Sequence, residues 1–260
     1  MHNERVPLYD SFSREYDVMV SWPERLAREW PFLERQLRAV QARRILDVGT
    51  GTGKHSLWLA QHGYEVVGTD PSEEMLRQAR SSADDAPGVR FIRAGLGDHA
   101  AKVGGQFDAI ICLGNTLPHV LNESELLSAL CDLRAVLRPG GVLVVQILNY
   151  DRILAGRQRF LGLSAGLEGP DELLFFRFYD YPEHLEPGSL LTFNVVVLRR
   201  TSAGWHWRVD STRLQPIRSG QLECLLLTAG FGEVRQYGSY AGEAFDRERS
   251  NDLIVVARRI

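Results

Sequence analysis

Ile45-Leu46-Asp47-Val48-Gly49-Thr50-Gly51-Thr52-Gly53-Lys54-His55-Ser56, answered by Asp70 seventeen residues after Gly53, is the stretch that decides the fold. The apolar start reads as a buried strand, the alternating glycines as a sharp turn, and Lys54 onward as the start of a helix. Glycine lacks the Cβ that keeps a backbone away from a ligand, and positive φ is open to it. Asp70 closes the next strand-like run, Glu65-Val66-Val67-Gly68-Thr69, where a carboxylate can accept two hydrogen bonds from a ribose diol. A glycine turn after one strand and an acid after the next describe a nucleoside-containing cofactor lying across the carboxyl ends of parallel strands.

Spacing narrows the cofactor. A dinucleotide fingerprint needs Gly-x-Gly-x-x-Gly, with a helix N-terminus aimed at a pyrophosphate, whereas this chain has Gly-x-Gly-x-Gly after an aspartate. A nicotinamide-dependent oxidoreductase is disfavoured on the same ground. A P-loop fails twice, because Val48 stands five residues before Gly53 and His55 follows Lys54.

The 260 residues, 44% of them hydrophobic, suffice for one large α/β domain, and one domain with an insertion is the reading favoured here. With 30 basic against 33 acidic residues interspersed, no basic face is available to hold a phosphate backbone, so nucleic acid is excluded as a partner. Cys112, Cys131 and Cys224 have no paired spacing, which points away from disulfides and from a metal cluster. The start Met1-His2-Asn3-Glu4-Arg5 lacks an apolar signal core and no apolar run is long enough to span a bilayer. The expectation is a cytoplasmic protein with no membrane association.

Residues 9–40 place Trp22, Leu26, Trp30, Leu33, Leu37 and Val40 at helical spacing, interrupted by Pro23 and Pro31, which predicts two or three leading helices. Strands at 43–48, 65–69, 89–93, 107–113 and 142–148 then alternate with helices at 53–63, 72–82 and 122–137, the rhythm of a doubly wound parallel sheet. Arg138-Pro139-Gly140-Gly141 reads as a chain reversal. From 149 to about 215 strand-like runs at 173–179, 191–198 and 204–209 follow one another without helices, predicting an antiparallel insertion. A helix at 218–229 and strands at 232–237 and 252–258 close the chain.

The run Asp47-x-Gly49-x-Gly51-x-Gly53 resembles motif I of class I S-adenosylmethionine-dependent methyltransferases. The segments Phe107-Asp108-Ala109-Ile110-Ile111-Cys112-Leu113-Gly114-Asn115-Thr116-Leu117-Pro118-His119 and Asn149-Tyr150-Asp151-Arg152-Ile153-Leu154 are similar to blocks of the glycine N-methyltransferase group. The likeness covers most of residues 9–155 and is weakest in the insertion. It implies a Rossmann-like seven-stranded sheet whose last strand inserts antiparallel beside the fifth. It also implies four parts: 1–42 covering the cofactor, a cofactor-binding core 43–148, a lid 149–215, and 216–260 completing the sheet.

Carried over by residue, the resemblance puts Gly49, Thr50, Gly51 and Gly53, after Asp47, around the methionine part of S-adenosylmethionine, the donor that leaves as S-adenosylhomocysteine. Asp70 would take the ribose hydroxyls, with Pro71 beside it, and Met75 the adenine face. The backbone at Gly95 and Leu96 would meet the adenine edge, and Leu113 would lie beneath the sulfonium. Tyr16 would close over the cofactor and Arg25 would take its carboxylate. Asn115, His119 and Tyr150 would orient a small-molecule acceptor, and no metal is implied. Taken singly, these residues have plainer readings: Asn115 a turn residue, His119 a hydrogen-bonded structural histidine, Met75 core and Tyr16 ordinary packing. Asp98 and His99, adjacent in the chain, read as surface.

Two departures bear on the acceptor. Relatives that methylate glycine carry an arginine immediately before the Asn-Tyr-Asp block, where this chain has Gln146-Ile147-Leu148. A carboxylate without that partner forgoes ~1.5–3 kcal/mol, which argues against free glycine. Arg152, Arg177 and Arg213 are replacement candidates that otherwise read as solvated surface charges. Gly95 also stands where many such enzymes carry an acid or amide for the adenine amino group. The resulting expectation is methyl transfer to a nitrogen of a small molecule, with an O-methyltransferase or a non-enzymatic S-adenosylmethionine-binding protein as the alternatives. The insertion aromatics Phe175, Phe176, Phe178, Tyr179, Trp205 and Trp207 would line the acceptor pocket or pack the insertion on the core.

Overall fold

Two leading helices, α1 (Pro7–Met19) and α2 (Trp22–Ala39), precede the first strand in the computed structural model, which describes residues 7–83 and 86–260. The amino-terminal Met1-His2-Asn3-Glu4-Arg5 lies outside the described residues. Pro23 sits in the first turn of α2, where its missing N–H costs nothing, but Pro31 lies inside the helix. The expected break at Pro31 is absent, because Leu26, Phe32, Leu33 and Leu37 bury one continuous face on either side of it.

The core alternates β1 (Arg44–Val48), α3 (Lys54–Gln61), β2 (Glu65–Asp70), α4 (Glu73–Ala83), β3 (Val89–Arg93), α5 (His99–Lys102) and β4 (Phe107–Cys112). A 3-10 turn, Leu117–His119, leads to α6 (Glu123–Val136), β5 (Leu137–Leu148) and α7 (Tyr150–Ala155). The chain ends with α8 (Ser219–Thr228), β10 (Phe231–Tyr237) and β11 (Asp252–Arg259). The seven-stranded order is β10-β11-β5-β4-β1-β2-β3, with β11 antiparallel to both of its neighbours, so the expected sheet is present. Its central strands are buried on both faces; Ile45, Leu46, Ile110, Ile111, Val142 and Val144 have no exposed surface.

Arg138–Gly141 is not a reversal, as expected from its composition, but part of β5. Leu137 pairs with Phe107, the register shifts, and Ala109 then pairs with Val142, so the Pro-Gly-Gly stretch forms an irregularity within one strand.

The insertion forms a separate sheet, β6 (Ser164–Glu168), β7 (Asp171–Asp180), β8 (Leu191–Thr201) and β9 (Gly204–Leu214), all antiparallel. Its inner face sets Leu173, Phe175, Val195 and Val197 against Leu8 and Phe12 of α1. Helix α1 is therefore sandwiched between the insertion and the cofactor side of the core, and also touches α4.

Candidate active site

The glycine turn is braced from within. Gly49, Gly51 and Gly53 all have positive φ, and a Cβ on Gly49 would stand 2.6 Å from the Thr116 side chain. At Gly51 such a Cβ would, among the described residues beyond its chain neighbours, come within 4 Å of Cε1 of Tyr16 alone, so this glycine faces open space under a tyrosine ring. Asp47 points into the turn, where its Oδ2 accepts hydrogen bonds from Thr50 Oγ1 at 2.7 Å and Ser56 Oγ at 2.8 Å. Its carboxylate braces the loop from within and has little exposed surface.

Asp70 ends β2 with little exposed surface. Its Oδ2 accepts from Gly51 N at 3.0 Å and its Oδ1 from Ser72 N at 2.9 Å, which leaves outward lone pairs for a further donor. Burial, reinforced by Asp47 and Asp10 and only partly offset by the two N–H groups, pushes its carboxyl up to about 6. Met75 is buried on α4 and Pro71 is half-buried beside Asp70. Gly95 N approaches Asp98 Oδ2 at 3.4 Å, and Leu96 packs on the core edge.

Helix α1 is hooked over this loop by acids that the sequence alone did not single out. Asp17 accepts from Thr52 Oγ1 at 2.6 Å and Trp22 Nε1 at 2.9 Å and pairs with Lys54 Nζ at 3.0 Å. Asp10 accepts from Ser72 Oγ at 2.6 Å, next to Asp70. These bonds set Tyr16 above the glycine turn.

Arg25, on α2, donates from Nε to Glu29 Oε1 at 2.8 Å and has its guanidinium over the Trp22 ring. Burial opposes its charge, but Glu29 prevails and holds its pKa above the ordinary arginine value. Glu29 is itself buried, with His55 Nε2 2.7 Å from its other oxygen. Burial works against the Glu29 carboxylate, yet His55 and Arg25 together keep it below the usual range. An Arg-Glu-His chain thus fixes a cation beside Gly114, whose Cβ would lie 3.5 Å from Arg25 Nη2.

Leu113, Gly114 and Asn115 follow β4 directly. Asn115 is a non-glycine residue with φ of 65°, its Nδ2 donating to Tyr150 Oη at 3.0 Å and its Oδ1 accepting from Leu148 N at 3.0 Å. The carboxamide ties the ends of β4 and β5 together, so one donor hydrogen and one lone pair remain for a ligand. Gly114 N donates to Gln146 Oε1 at 2.8 Å, and Gln146 Nε2 donates to Asp252 at 2.8 Å. The signal for Gln146 was available as one amide in the apolar run Val142–Leu148, but nothing local named its partners.

A cavity of about 360 Å³ opens where these elements meet, lined by Tyr9, Tyr16 and Arg25 from the leading helices, Gly114 and Asn115 from the core, and Arg177 and Tyr179 from β7. Of the three expected acceptor residues, Asn115 alone reaches it. Tyr150 is buried behind Asn115, with burial pushing its hydroxyl well up. His119 meets Tyr9 Oη at 3.1 Å, and burial pushes its imidazole down to about 4, so it is neutral at pH 7 and a poor acceptor of a proton. Asn149 and Asp151 serve structure. The Asn149 amide donates to the carbonyls of Arg247 and Ser250 at 3.0 and 2.9 Å, and Asp151 accepts from Ser219 N at 2.8 Å.

Three further expectations are corrected. His99 is fully buried, near Thr69 Oγ1 at 3.1 Å and Asp132 at 3.3 Å, because α5 turns it inward. Among the insertion aromatics Tyr179 lines the cavity and Phe175 packs on α1, whereas Trp205 and Trp207 are exposed on the far face. Arg177 lies on the inward row of β7 and lines the cavity, while Arg213 is exposed.

A free acceptor at Asp70, a cation beside Gly114 and open space under Tyr16 fit the ribose, carboxylate and chain of S-adenosylmethionine, respectively. Among the described residues no helix is long and apolar enough to cross a membrane, and no group of three or more His, Cys, Asp or Glu side chains could hold a metal ion.

Comparison with known proteins agrees with this geometry. The "Methyltransferase domain" family matches residues 45–141. A glycine/sarcosine N-methyltransferase of Parasynechococcus marenigrum is 32% identical over 89% of this chain and 78% of its own length. A second, from Aphanothece halophytica, is 33% identical over 96% of this chain and 89% of its own. Among solved structures, the CcbJ methyltransferase of Streptomyces caelestis shares the fold at 24% identity, with a TM-score of 0.75 over 97% of both chains. An amino pentose methyltransferase, CalS10 of Micromonospora echinaspora, solved with S-adenosylmethionine bound, has a TM-score of 0.72 at 23% identity over 100% of both chains. The chain belongs to the class I S-adenosylmethionine-dependent methyltransferases and is an enzyme of the group that includes the glycine/sarcosine N-methyltransferases.

Proposed function

We propose that this enzyme transfers a methyl group to the nitrogen of a small-molecule amine other than free glycine. The observation that carries the reading is the cavity between Asn115 and the insertion, which has Leu148 in its wall at the position where the resemblance implies an arginine for glycine-methylating enzymes. The curated relatives named above are N-methyltransferases by name, which favours nitrogen over oxygen.

In this reading Asp70 accepts the ribose diol, the Gly49–Gly53 turn passes beneath the methionine chain, and Arg25 takes the carboxylate. Tyr16 closes from above, Met75 and the backbone at 95–96 bound the adenine, and Leu113 lies under the sulfur. The division into a covering segment 1–42, a core 43–148, a lid 149–215 and a closing part 216–260 belongs to the same proposal. When bound, the cofactor supplies an electrophilic methyl on a sulfonium with a good leaving group, so no protein nucleophile is required. The chain's contribution is positioning and exclusion of water, and holding reactants at near-attack distance can supply roughly 7–11 kcal/mol. The remaining amide hydrogen and lone pair of Asn115 orient the acceptor, and Tyr150 fixes that amide from behind.

Calorimetric titration with S-adenosylhomocysteine, wild type against Asp70→Ala, tests the cofactor half. Micromolar binding that falls at least a hundredfold in the variant supports it, and equal affinities refute it. Mass-spectrometric screening of amines, alcohols and phenols with S-adenosylmethionine tests the acceptor half; methylation confined to hydroxyl compounds, or glycine as the best substrate, overturns it.

A further inference from the structure

Along β7 every second side chain faces inward, and that row reads Leu173, Phe175, Arg177, Tyr179. Three of the four are fully buried apolar or aromatic residues, and the fourth carries a fixed positive charge. The outward row, with Leu174, Phe176 and Phe178, has the less buried positions, so the cation stands on the side of the strand where it is harder to hold.

Among the described residues Arg177 has no carboxylate within ion-pairing distance. Its one hydrogen bond runs from Nη2 to the Gly162 carbonyl at 3.3 Å, and its Nε is buried without an acceptor. The other two arginines on the cavity wall both have a carboxylate: Arg25 pairs with Glu29 at 2.8 Å, and Arg28, largely exposed, lies 3.8 Å from the same group. Burial is the dominant influence on Arg177 and acts against its charge, with only the hydroxyls of Tyr179 and Tyr16 near enough to favour it. Tyr179 Oη, also on the cavity wall, is buried without a hydrogen bond of good geometry, although Tyr150 is close enough to perturb it. On one strand face that lines the chamber, Arg177 Nε and Tyr179 Oη thus stand without a protein acceptor of good geometry.

We propose that Arg177, assisted by Tyr179, is the counter-ion for an oxyanion carried by the acceptor, a carboxylate or a phosphate. This rests on the amine-acceptor reading and specifies its substrate class: the acceptor's anion is taken by the lid sheet and not by the end of β5, where Leu148 stands. A guanidinium suits both anions because its parallel N–H groups match two oxygens.

The test is isothermal titration of the S-adenosylhomocysteine complex with acetate and with inorganic phosphate at constant ionic strength. Wild type, Arg177→Gln and Arg177→Lys are compared, and S-adenosylhomocysteine affinity is measured for each. Millimolar binding of either anion in wild type, weakened tenfold or more in Arg177→Gln and partly retained in Arg177→Lys, is the expected result. Binding of one anion in preference to the other identifies the source. Anion affinities that are absent in wild type or equal in wild type and Arg177→Gln overturn the proposal, while unchanged S-adenosylhomocysteine affinity shows that the cofactor site stands. As a second readout, the amine pairs 4-aminobutyrate with butylamine and glucosamine 6-phosphate with glucosamine are compared as acceptors. A preference for the anionic member that Arg177→Gln abolishes supports the assignment, and a preference for the neutral member refutes it.

Discussion

Cofactor affinity should weaken steeply in mild acid, and Asp70 is the cause. Its carboxyl must be ionised to accept both ribose hydroxyls, yet burial with Asp47 and Asp10 nearby raises it from an ordinary 3.8 to about 6. Only the ionised fraction binds well, so the apparent Kd for S-adenosylhomocysteine grows by about elevenfold at pH 5 and by only about a tenth at pH 7. The same rise has a sign for folding. The folded state holds the proton more tightly than the unfolded one, so this group contributes stability that is present below about pH 4 and lost as pH climbs through about 6. At neutral pH the ionised carboxylate costs about 3 kcal/mol, part of which the diol hydrogens recover on binding. The assay is calorimetric titration from about pH 5 to about pH 7.5 at fixed ionic strength, with Asp70→Asn alongside. Wild type should lose affinity toward a tenfold change per pH unit below pH 6. Asp70→Asn should bind weakly and show little pH dependence. A flat wild-type profile, or an Asp70→Asn profile with the wild-type slope, refutes the reasoning.

Glu29→Ala strands Arg25 in a buried setting and removes the partner of His55, so it should cost about 3–5 kcal/mol in urea unfolding and reduce S-adenosylhomocysteine affinity; a loss under about 1 kcal/mol contradicts the buried triad. Gly49→Ala meets both a left-handed backbone and a Thr116 side chain 2.6 Å away, and should lower stability by about 2 kcal/mol or more, read as a drop in Tm. His119, pushed down from 6.5 to about 4 by burial, contributes stability that is present above about pH 6.5 and lost as pH falls toward about 4. Its loss amounts to up to about 3 kcal/mol, and His119→Gln should remove that acid-sensitive component from the pH dependence of unfolding, with an unchanged profile speaking against it.

The parallel sheet was legible because its strands are buried on both faces and so form uninterrupted apolar runs, and because Asp47, the glycines and Asp70 hold fixed places at their ends. At Pro31 and Arg138–Gly141 tertiary packing overrides local punctuation, through a continuous apolar face in α2 and a register shift in β5. His99 was read as surface from its neighbour in sequence, whereas α5 turns its ring toward Thr69 and Asp132. The cofactor side was more readable than the acceptor side. Asp47, the glycine turn and Asp70 sit within 25 positions on one βαβ unit, while the chamber is assembled from α1, α2, the turn after β4, β5 and β7, whose meeting no local pattern encodes. Arg177 illustrates the difference. In sequence it is one arginine among several, and only the pairing of β7 in the lid sheet turns its alternation into an inward charge.

The protonation states around the cavity bear on how such a chamber assists methyl transfer. Burial pushes the hydroxyls of Tyr9, Tyr16, Tyr150 and Tyr240 up and the imidazole of His119 down, so each of these groups is neutral near pH 7. The charged side chains that line the cavity are Arg25 and Arg28 with Glu29, Arg177 on the insertion sheet, and Asp252 held by Gln146. In the proposed reaction a positive charge passes from sulfur to nitrogen and is spread over both at the transition state. A wall of neutral hydroxyls need not reorganise as that charge moves, whereas water or a nearby carboxylate would stabilise the localised sulfonium and resist its dispersal. Helix α1 supplies Tyr9 and Tyr16 to this wall and is held down by Asp10 and Asp17 on the glycine-turn side. In the proposed reaction, covering the cofactor and drying the acceptor site are consequences of one docked helix, and the acids that dock it do not line the cavity.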